Sequence, residues 1–483
     1  QSLEQALQNL QKNPSDEEYR NLLIKYPTCP HIWLHFIQYK LSGNNLKDLP
    51  VIFQECLPNV LNVHLYHLYL EFIKKTNDDS SIILKSYDFV ISQVGQDVES
   101  SPIWNNYLEY IQSLPEDTAW DAQQKVDLLR KVYSKVLKIP VDQIEDIWKN
   151  YAKFEEDVNK ATARRFISDK SSAYMDARTC LRNLRSQISA TGRNSYPIMP
   201  DSATSRAVIA SLKQNWDKWI NYELSNPLNL SDQLAVRSRV LYAYKQMTQS
   251  LLFSPEAFFS AANYAQEHEL STDVEKFLSF GRKYNPTSPL LAYKAAEYQE
   301  AKSNIDGARS VFRSYIDTLK KAHDDPDNND TGLRPVDLPL EITAAYAIFM
   351  RAEKRMSSIE TARSVFTEAR KLPYATYHIF VESAYMEFYN DKDSPVPVKV
   401  FEMGMRKFSK VIKYVEHYFD FLIATNDAIN ARALFERTVN NDTIPNGDKK
   451  SLYFKFFQYE STYGSVLSNI SSLQARILSL FPD

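Results

Sequence analysis

Three large rings at i, i+3 and i+6 recur along this chain, and that recurrence narrows its possible folds more than any other feature. Trp104/Tyr107/Tyr110, Trp148/Tyr151/Phe154 and Trp216/Trp219/Tyr222 carry it in strict form, the last two followed directly by Glu155 and Glu223. Trp33/Phe36/Tyr39 repeats it, and Tyr66/Tyr69/Phe72 does so with tyrosine in first place. Looser copies stand at Phe258/Ala261/Tyr264, Phe380/Ser383/Met386, Val415/Tyr418/Phe421 and Tyr453/Phe456/Tyr459, with weaker ones near Tyr298 and Tyr346/Phe349. A strand sends alternate side chains to opposite faces, whereas this spacing lays the rings along one stripe of a helix.

A second pattern follows each stripe. In Ala308-Arg309-Ser-Val-Phe312, Ala362-Arg363-Ser-Val-Phe366 and Ala431-Arg432-Ala-Leu-Phe435, a small residue, a long cation and a ring sit at i, i+1 and i+4. The alanine admits a neighbouring helix, and the ring fills the space between hairpins. Anchors recur mostly at intervals of about 33–44 residues, room for two helices and two short turns. One such hairpin cannot bury its apolar face alone, so neighbours must stack. The expected architecture is therefore all-α, an α-α superhelix of about 12 helical hairpins in two halves. Nine glycines in 483 residues, beside 13% aromatic and 44% hydrophobic content, leave few sites for the positive-φ turns of sheets and nucleotide folds. Pro14, Pro50, Pro102, Pro255, Pro289, Pro339 and Pro445 fall between or at the starts of the expected helices, where proline is tolerated.

The array is interrupted once by a long polar helix over 159–188, ending in a Gly/Pro/Ser-rich linker over 189–202. That places the border of the halves at residues 1–200 and 201–483. A second, acidic break over 321–332 reads as a solvated loop. The chain opens on Gln1 rather than Met and is expected to be a piece of a longer protein.

A net charge of −3 gives no bulk attraction to nucleic acid or anionic membrane. No apolar run is long enough for a membrane span, so no membrane partner is expected. Cys29, Cys56 and Cys180 lie apart, with neither metal spacing nor a disulfide framework, as suits a reducing compartment. Phosphate-cradling glycine loops, nucleophile elbows and zinc-protease helices are missing from the sequence, and neither enzymatic activity nor a cofactor is expected. His31/His35 and His64/His67 could each share a helix face, but no third ligand completes a metal site. The most basic feature is a ridge on the long helix, Arg178, Arg182 and Arg185 at i, i+4 and i+7. It reads either as a contact for RNA phosphates or an acidic partner, or as a solvated face paired with Asp169 and Asp176.

With these motifs in view, the chain resembles the HAT (half-a-TPR) repeat proteins of RNA processing. Within them it is similar to the scaffold subunits of cleavage stimulation factor and yeast cleavage factor IA. The resemblance rests on Ile147-Trp-Lys-Asn-Tyr-Ala-Lys-Phe-Glu-Glu156, Ala173-Tyr-Met-Asp-Ala-Arg178, Trp219-Ile-Asn-Tyr-Glu-Leu-Ser-Asn-Pro-Leu228 and the stretch 377–389, and it covers nearly the whole chain. It implies HAT-N and HAT-C halves, a homodimer through HAT-C, and a nuclear role in cleavage and polyadenylation of pre-mRNA. It also implies other processing subunits as partners, RNA contact that is mostly indirect, and an RNA-recognition-motif subunit bound by a C-terminal segment that this chain lacks. Exposed aromatics of the last repeats would then carry self-association, and Tyr418, Phe419, Phe457 and Tyr463 are the candidates. Two other readings stay open: a HAT subunit of a splicing or ribosome-biogenesis complex, and a direct, weak RNA binder.

Overall fold

The computed structural model describes residues 2–326 and 337–482. Among them stand 24 α-helices and a single 3-10 turn at Val98–Ser100, with no strand. Taken two at a time from the N-terminus, the helices form the expected hairpins, and each aromatic stripe lies on the first helix of its pair. Of the acidic break expected over 321–332, residues 321–324 instead close the helix Ile305–Asp324, and 327–332 lie outside the described residues.

About half of the helices begin at a side-chain cap, as where Ser2, Thr118, Ser202 and Ser358 close capping boxes. Pro102, Pro255 and Pro339 occupy first-turn positions, where a missing N–H costs nothing. The long helix runs Lys160–Ala190, and the Asn159 side chain accepts from the Ala161 N–H at 2.9 Å. Its first turns are polar and solvated. Its second half buries Tyr174, Ala177, Cys180, Leu181, Leu184 and Ile188.

The stripes form the core. Trp104 and Trp216 are 0% exposed, and Trp33, Tyr107, Tyr151 and Trp219 are buried with them. Trp148 and Tyr222 are half-buried, Trp148 stacking on Tyr174 at 4.4 Å and Tyr222 donating to the Cys180 sulfur at 3.5 Å. Rings of the second helix pack on the next stripe, as in the Phe312–Phe349 and Phe435–Phe456 stacks at 5.0 and 4.0 Å. Where the Phe258 ring packs on the neighbouring helix no side chain fits: a Cβ on Gly281 would stand 2.7 Å from that ring.

The same stripes bury charge. Glu155, Glu223, Glu353, Glu387 and Glu460 each stand seven residues after the first position of their stripe, nearly two full turns, so each points into the same seam. Each is almost wholly buried. Each also accepts a two-pronged guanidinium, from Arg130, Arg239, Arg309, Arg363 and Arg432 respectively. Every one of these arginines lies three residues before the ring of a second helix, so ring and guanidinium dock as a unit. In four cases the arginine reaches forward to the following hairpin, and Arg239 reaches back within its own. The first stripe inverts the charges. Lys40 stands at the glutamate position, 5% exposed, and pairs with Asp16 at the arginine position and with Asp48 at 3.1 Å.

The chain divides into two compact units, with the border in sequence between Leu291 and Ala292. In the second unit Leu338–Met356 touches both its partner Ile359–Arg370 and the next first helix His378–Asn390, and His378–Asn390 and Ile412–Ala424 repeat the pattern. The first unit adds a longer-range contact. Its helix Gln233–Ser250 crosses the turns that open three successive hairpins. Tyr242, Gln246 and Gln249, at i, i+4 and i+7, meet them in order: Tyr242 donates to Asp97, Gln246 to the Leu61 carbonyl at 2.6 Å, and Gln249 accepts from the Leu61 N–H at 2.7 Å. Thr28 then donates to the Gln249 carbonyl at 2.8 Å. The linker over 189–202, where the border between halves is expected, lies inside this unit.

Candidate interaction surface

Arg193 in that linker forms the most deeply buried ion pair of the first unit. Its guanidinium grips both Asp97 oxygens at 2.7 and 2.8 Å, with the two side chains 6% and 3% exposed. Burial alone would raise the Asp97 carboxyl. The adjacent guanidinium and the hydrogen bonds from Arg193, Tyr242 and the Glu99 N–H outweigh it and hold the carboxyl below its ordinary value. The Tyr242 hydroxyl is driven far up, first by burial and then by the Asp97 charge. This latch fixes the linker to the 3-10 turn and to the helix Gln233–Ser250. Sequence reasoning missed it, because Asp97, Arg193 and Tyr242 lie on no shared periodic stripe.

The arginine ridge is largely neutralised, but by different carboxylates from those expected. Arg178 donates to Glu145 at 2.7 Å and Arg185 pairs with Asp142, both acids preceding or opening the helix Ile144–Val158. Asp169 and Asp176 lie on the arginines' own helix, whereas the ridge faces its packed neighbour. Arg182 is exposed and makes no ion pair with a described residue.

The four self-association candidates divide. Tyr418 is 2% exposed, stacked on Phe401 and donating to Glu402 at 2.8 Å. Phe419 is fully buried against Phe456 and Tyr459. Neither offers a surface to a partner, because the i, i+3 stripe and its flank are consumed by the neighbouring hairpin. Phe457 is half-buried, and Tyr463 is 72% exposed. Beside Tyr463 in the chain Leu467 is exposed, Leu478 is exposed toward the other end of the last helix, and Leu467–Leu480 buries only Leu473 and Ile477. The chain's last helix thus keeps an uncovered apolar face.

The histidine pairs are held by ordinary contacts: His31 with the Asn194 carbonyl, His35 with Gln11, and His67 with Glu71. Among the described residues no group of three potential ligands could hold a metal, and no helix is long and apolar enough to cross a membrane. All three cysteines are free and buried.

This hairpin array resembles the crystal structure of CstF-77, with a TM-score of 0.61 over 94% of this chain and 89% of that one, at 18% identity. In sequence the chain is 36% identical to the mRNA 3′-end-processing protein RNA14 of Yarrowia lipolytica, over 97% of this chain and 59% of that protein. It is 31% identical to its namesake in Schizosaccharomyces pombe, over 97% of this chain and 66% of that protein. The chain thus spans roughly three fifths to two thirds of the length of these relatives. The model of the suppressor of forked (Suf) proteins matches residues 2–483, and the chain belongs to that family.

Proposed function

We propose that this chain is a non-enzymatic scaffold of the pre-mRNA 3′-end cleavage and polyadenylation machinery, acting in the nucleus. The observation that carries this reading is the family match over residues 2–483, joined to relatives that are themselves called mRNA 3′-end-processing proteins. The physical form suits it: stacked hairpins present long surfaces that several subunits can share. We place self-association in residues 201–483, at the exposed Tyr463 and Leu467 where the last two helices join. Joining two copies presents two weak RNA-binding partners together and raises avidity by about 10²–10⁴ without a new contact. Capture of an RNA-recognition-motif subunit belongs in this reading to sequence outside these residues.

Light scattering tests the dimer. A chain of 55.9 kDa should appear at twice that mass at micromolar concentration, and Tyr463→Ser with Leu467→Ser should return it to the monomer mass. A monomer in the wild type would end the dimer claim. Affinity capture from nuclear extract tests the machine: 3′-end-processing subunits are expected, and recovery of spliceosomal or ribosome-biogenesis subunits instead would overturn the assignment.

A further inference from the structure

Most buried cations of this chain face a carboxylate, but in one groove of the first unit the charged lining residues are all lysines. It is an open groove of about 710 Å³ bordered by Lys131, Lys135 and Lys138, with Ser92, Ser134 and Ser238 between them and Trp104 in its wall. The three lysines are exposed, and none makes an ion pair with a described residue. Of the carboxylates on these elements, Asp97 and Glu99 pair with Arg193 and Asp142 with Arg185, whereas Asp88 and Asp127, the latter exposed one turn before Lys131, keep their charge and accept hydrogen bonds from the neutral Tyr107 and Gln123. Three ammonium groups without an ion-pair partner among the described residues thus stand beside the Ser134 and Ser238 hydroxyls. The groove is also rigid, since Trp104 and Ser100 both donate to the Gly95 carbonyl beneath it, at 2.9 and 2.8 Å.

Lys131 and Lys135 are one turn apart, about 6 Å along the helix, so the charges run along the groove instead of converging on one point. That suits an extended polyanion better than a single small anion. The same helix, Ala119–Val136, opens with Trp120, which is 69% exposed and touches no other ring among the described residues. Eleven residues separate Trp120 from Lys131, three turns, so both lie on nearly the same line of the helix. An indole left in water is unusual for so large an apolar ring. A flat ring in line with lysines is the combination by which single-stranded nucleic acid is held, bases on the ring and phosphates on the ammoniums. An acidic peptide would use the lysines and leave Trp120 without a task.

We infer that the face running from Trp120 to Lys138 binds single-stranded RNA directly, as an accessory contact independent of dimer formation. With a net charge of −3 the chain gives little background attraction, so the contact should read as a local one. Fluorescence anisotropy with a labelled twelve-residue oligouridine tests it. Three phosphate contacts to a single strand predict a slope of about −2 for log affinity against log salt. Lys131→Ala/Lys135→Ala/Lys138→Ala should weaken binding at least tenfold and flatten that slope, while replacement of all three by Arg should retain it. Trp120→Ala should weaken binding by roughly fivefold or more at unchanged slope. Circular dichroism of each variant should match wild type, as these side chains are exposed. Absence of oligouridine binding at micromolar protein, or a triple Ala variant that binds as wild type, would overturn the inference. So would polyglutamate competing on equal terms with a Trp120→Ala variant that shows no loss, which would mark the groove as a seat for an acidic protein segment.

Discussion

Glu223 and Glu387 hold the same register position in their repeats, yet removing their arginines should cost different amounts. Arg239 is 11% exposed against a Glu223 that is 3% exposed, whereas Arg363 is 47% exposed against a similarly buried Glu387. Arg239→Met keeps the stem but strands a carboxylate out of reach of water, which should cost about 3–5 kcal/mol. Arg363→Met opens a path for water to Glu387, and the loss should fall to about 1–3 kcal/mol. Urea unfolding of the two variants checks this; equal losses would mean that solvent access does not set the cost. The glutamates themselves were legible in sequence, directly after the stripes at Glu155 and Glu223, and so were Arg309, Arg363 and Arg432 before their rings, though not Arg130 or Arg239. Their pairing was not, because the partners lie between 16 and 44 residues apart and periodicity reports only on one helix at a time. Asp97 offers a titration at the same scale. Its carboxyl is lowered in the fold, so its contribution is fully present above the ordinary value of 3.8 and fades as pH falls through the folded value. Asp97→Asn should therefore lower the melting temperature by a constant amount between pH 5 and 8, and the gap to wild type should narrow only below about pH 4.

At the scale of helices, the inverted first stripe shows how neighbouring hairpins keep their register. Lys40 faces Asp16 and Asp48 where other junctions set a glutamate against an arginine. Lys40→Glu would bury a carboxylate beside two others and should destabilise the first hairpins by about 3–5 kcal/mol. Adding Asp16→Arg rebuilds the arrangement used elsewhere and should restore a large part of that loss, leaving a positive coupling energy in the double-mutant cycle. Additive losses would show that the pair merely tolerates burial. The stripes made helix positions legible, down to the long helix that the sequence placed at 159–188 and the structure gives as Lys160–Ala190. The helix Gln233–Ser250 was legible as an element but not in its contacts. Its working face, Tyr242, Gln246 and Gln249, is polar on two of three positions and binds backbone turns, so no hydrophobic pattern marks it.

Across the whole chain, stability should be local in the second unit and non-local in the first. Among the described residues the main contacts of each hairpin in the second unit are with its neighbours along the array, so its energetics approximate a sum of repeat and nearest-neighbour terms. Arg432→Met removes one such term, and hydrogen exchange should rise in the helices Ile412–Ala424, Ala428–Val439 and Asn446–Tyr463 while Leu338–Met356 stays protected. The latch of the first unit breaks that rule, since Asp97 is tied to a tyrosine 145 positions away and the same helix also holds Leu61 and Thr28. Asp97→Asn should therefore raise exchange together at the turns near residues 28, 61 and 97 and along Gln233–Ser250, with the second unit unchanged. If exchange instead rises only around residue 97, the three contacts of that helix open independently, and the first unit is an ordinary nearest-neighbour array despite its long-range hydrogen bonds. Joint exposure would identify Gln233–Ser250 as the strut that makes three separate hairpins unfold as one.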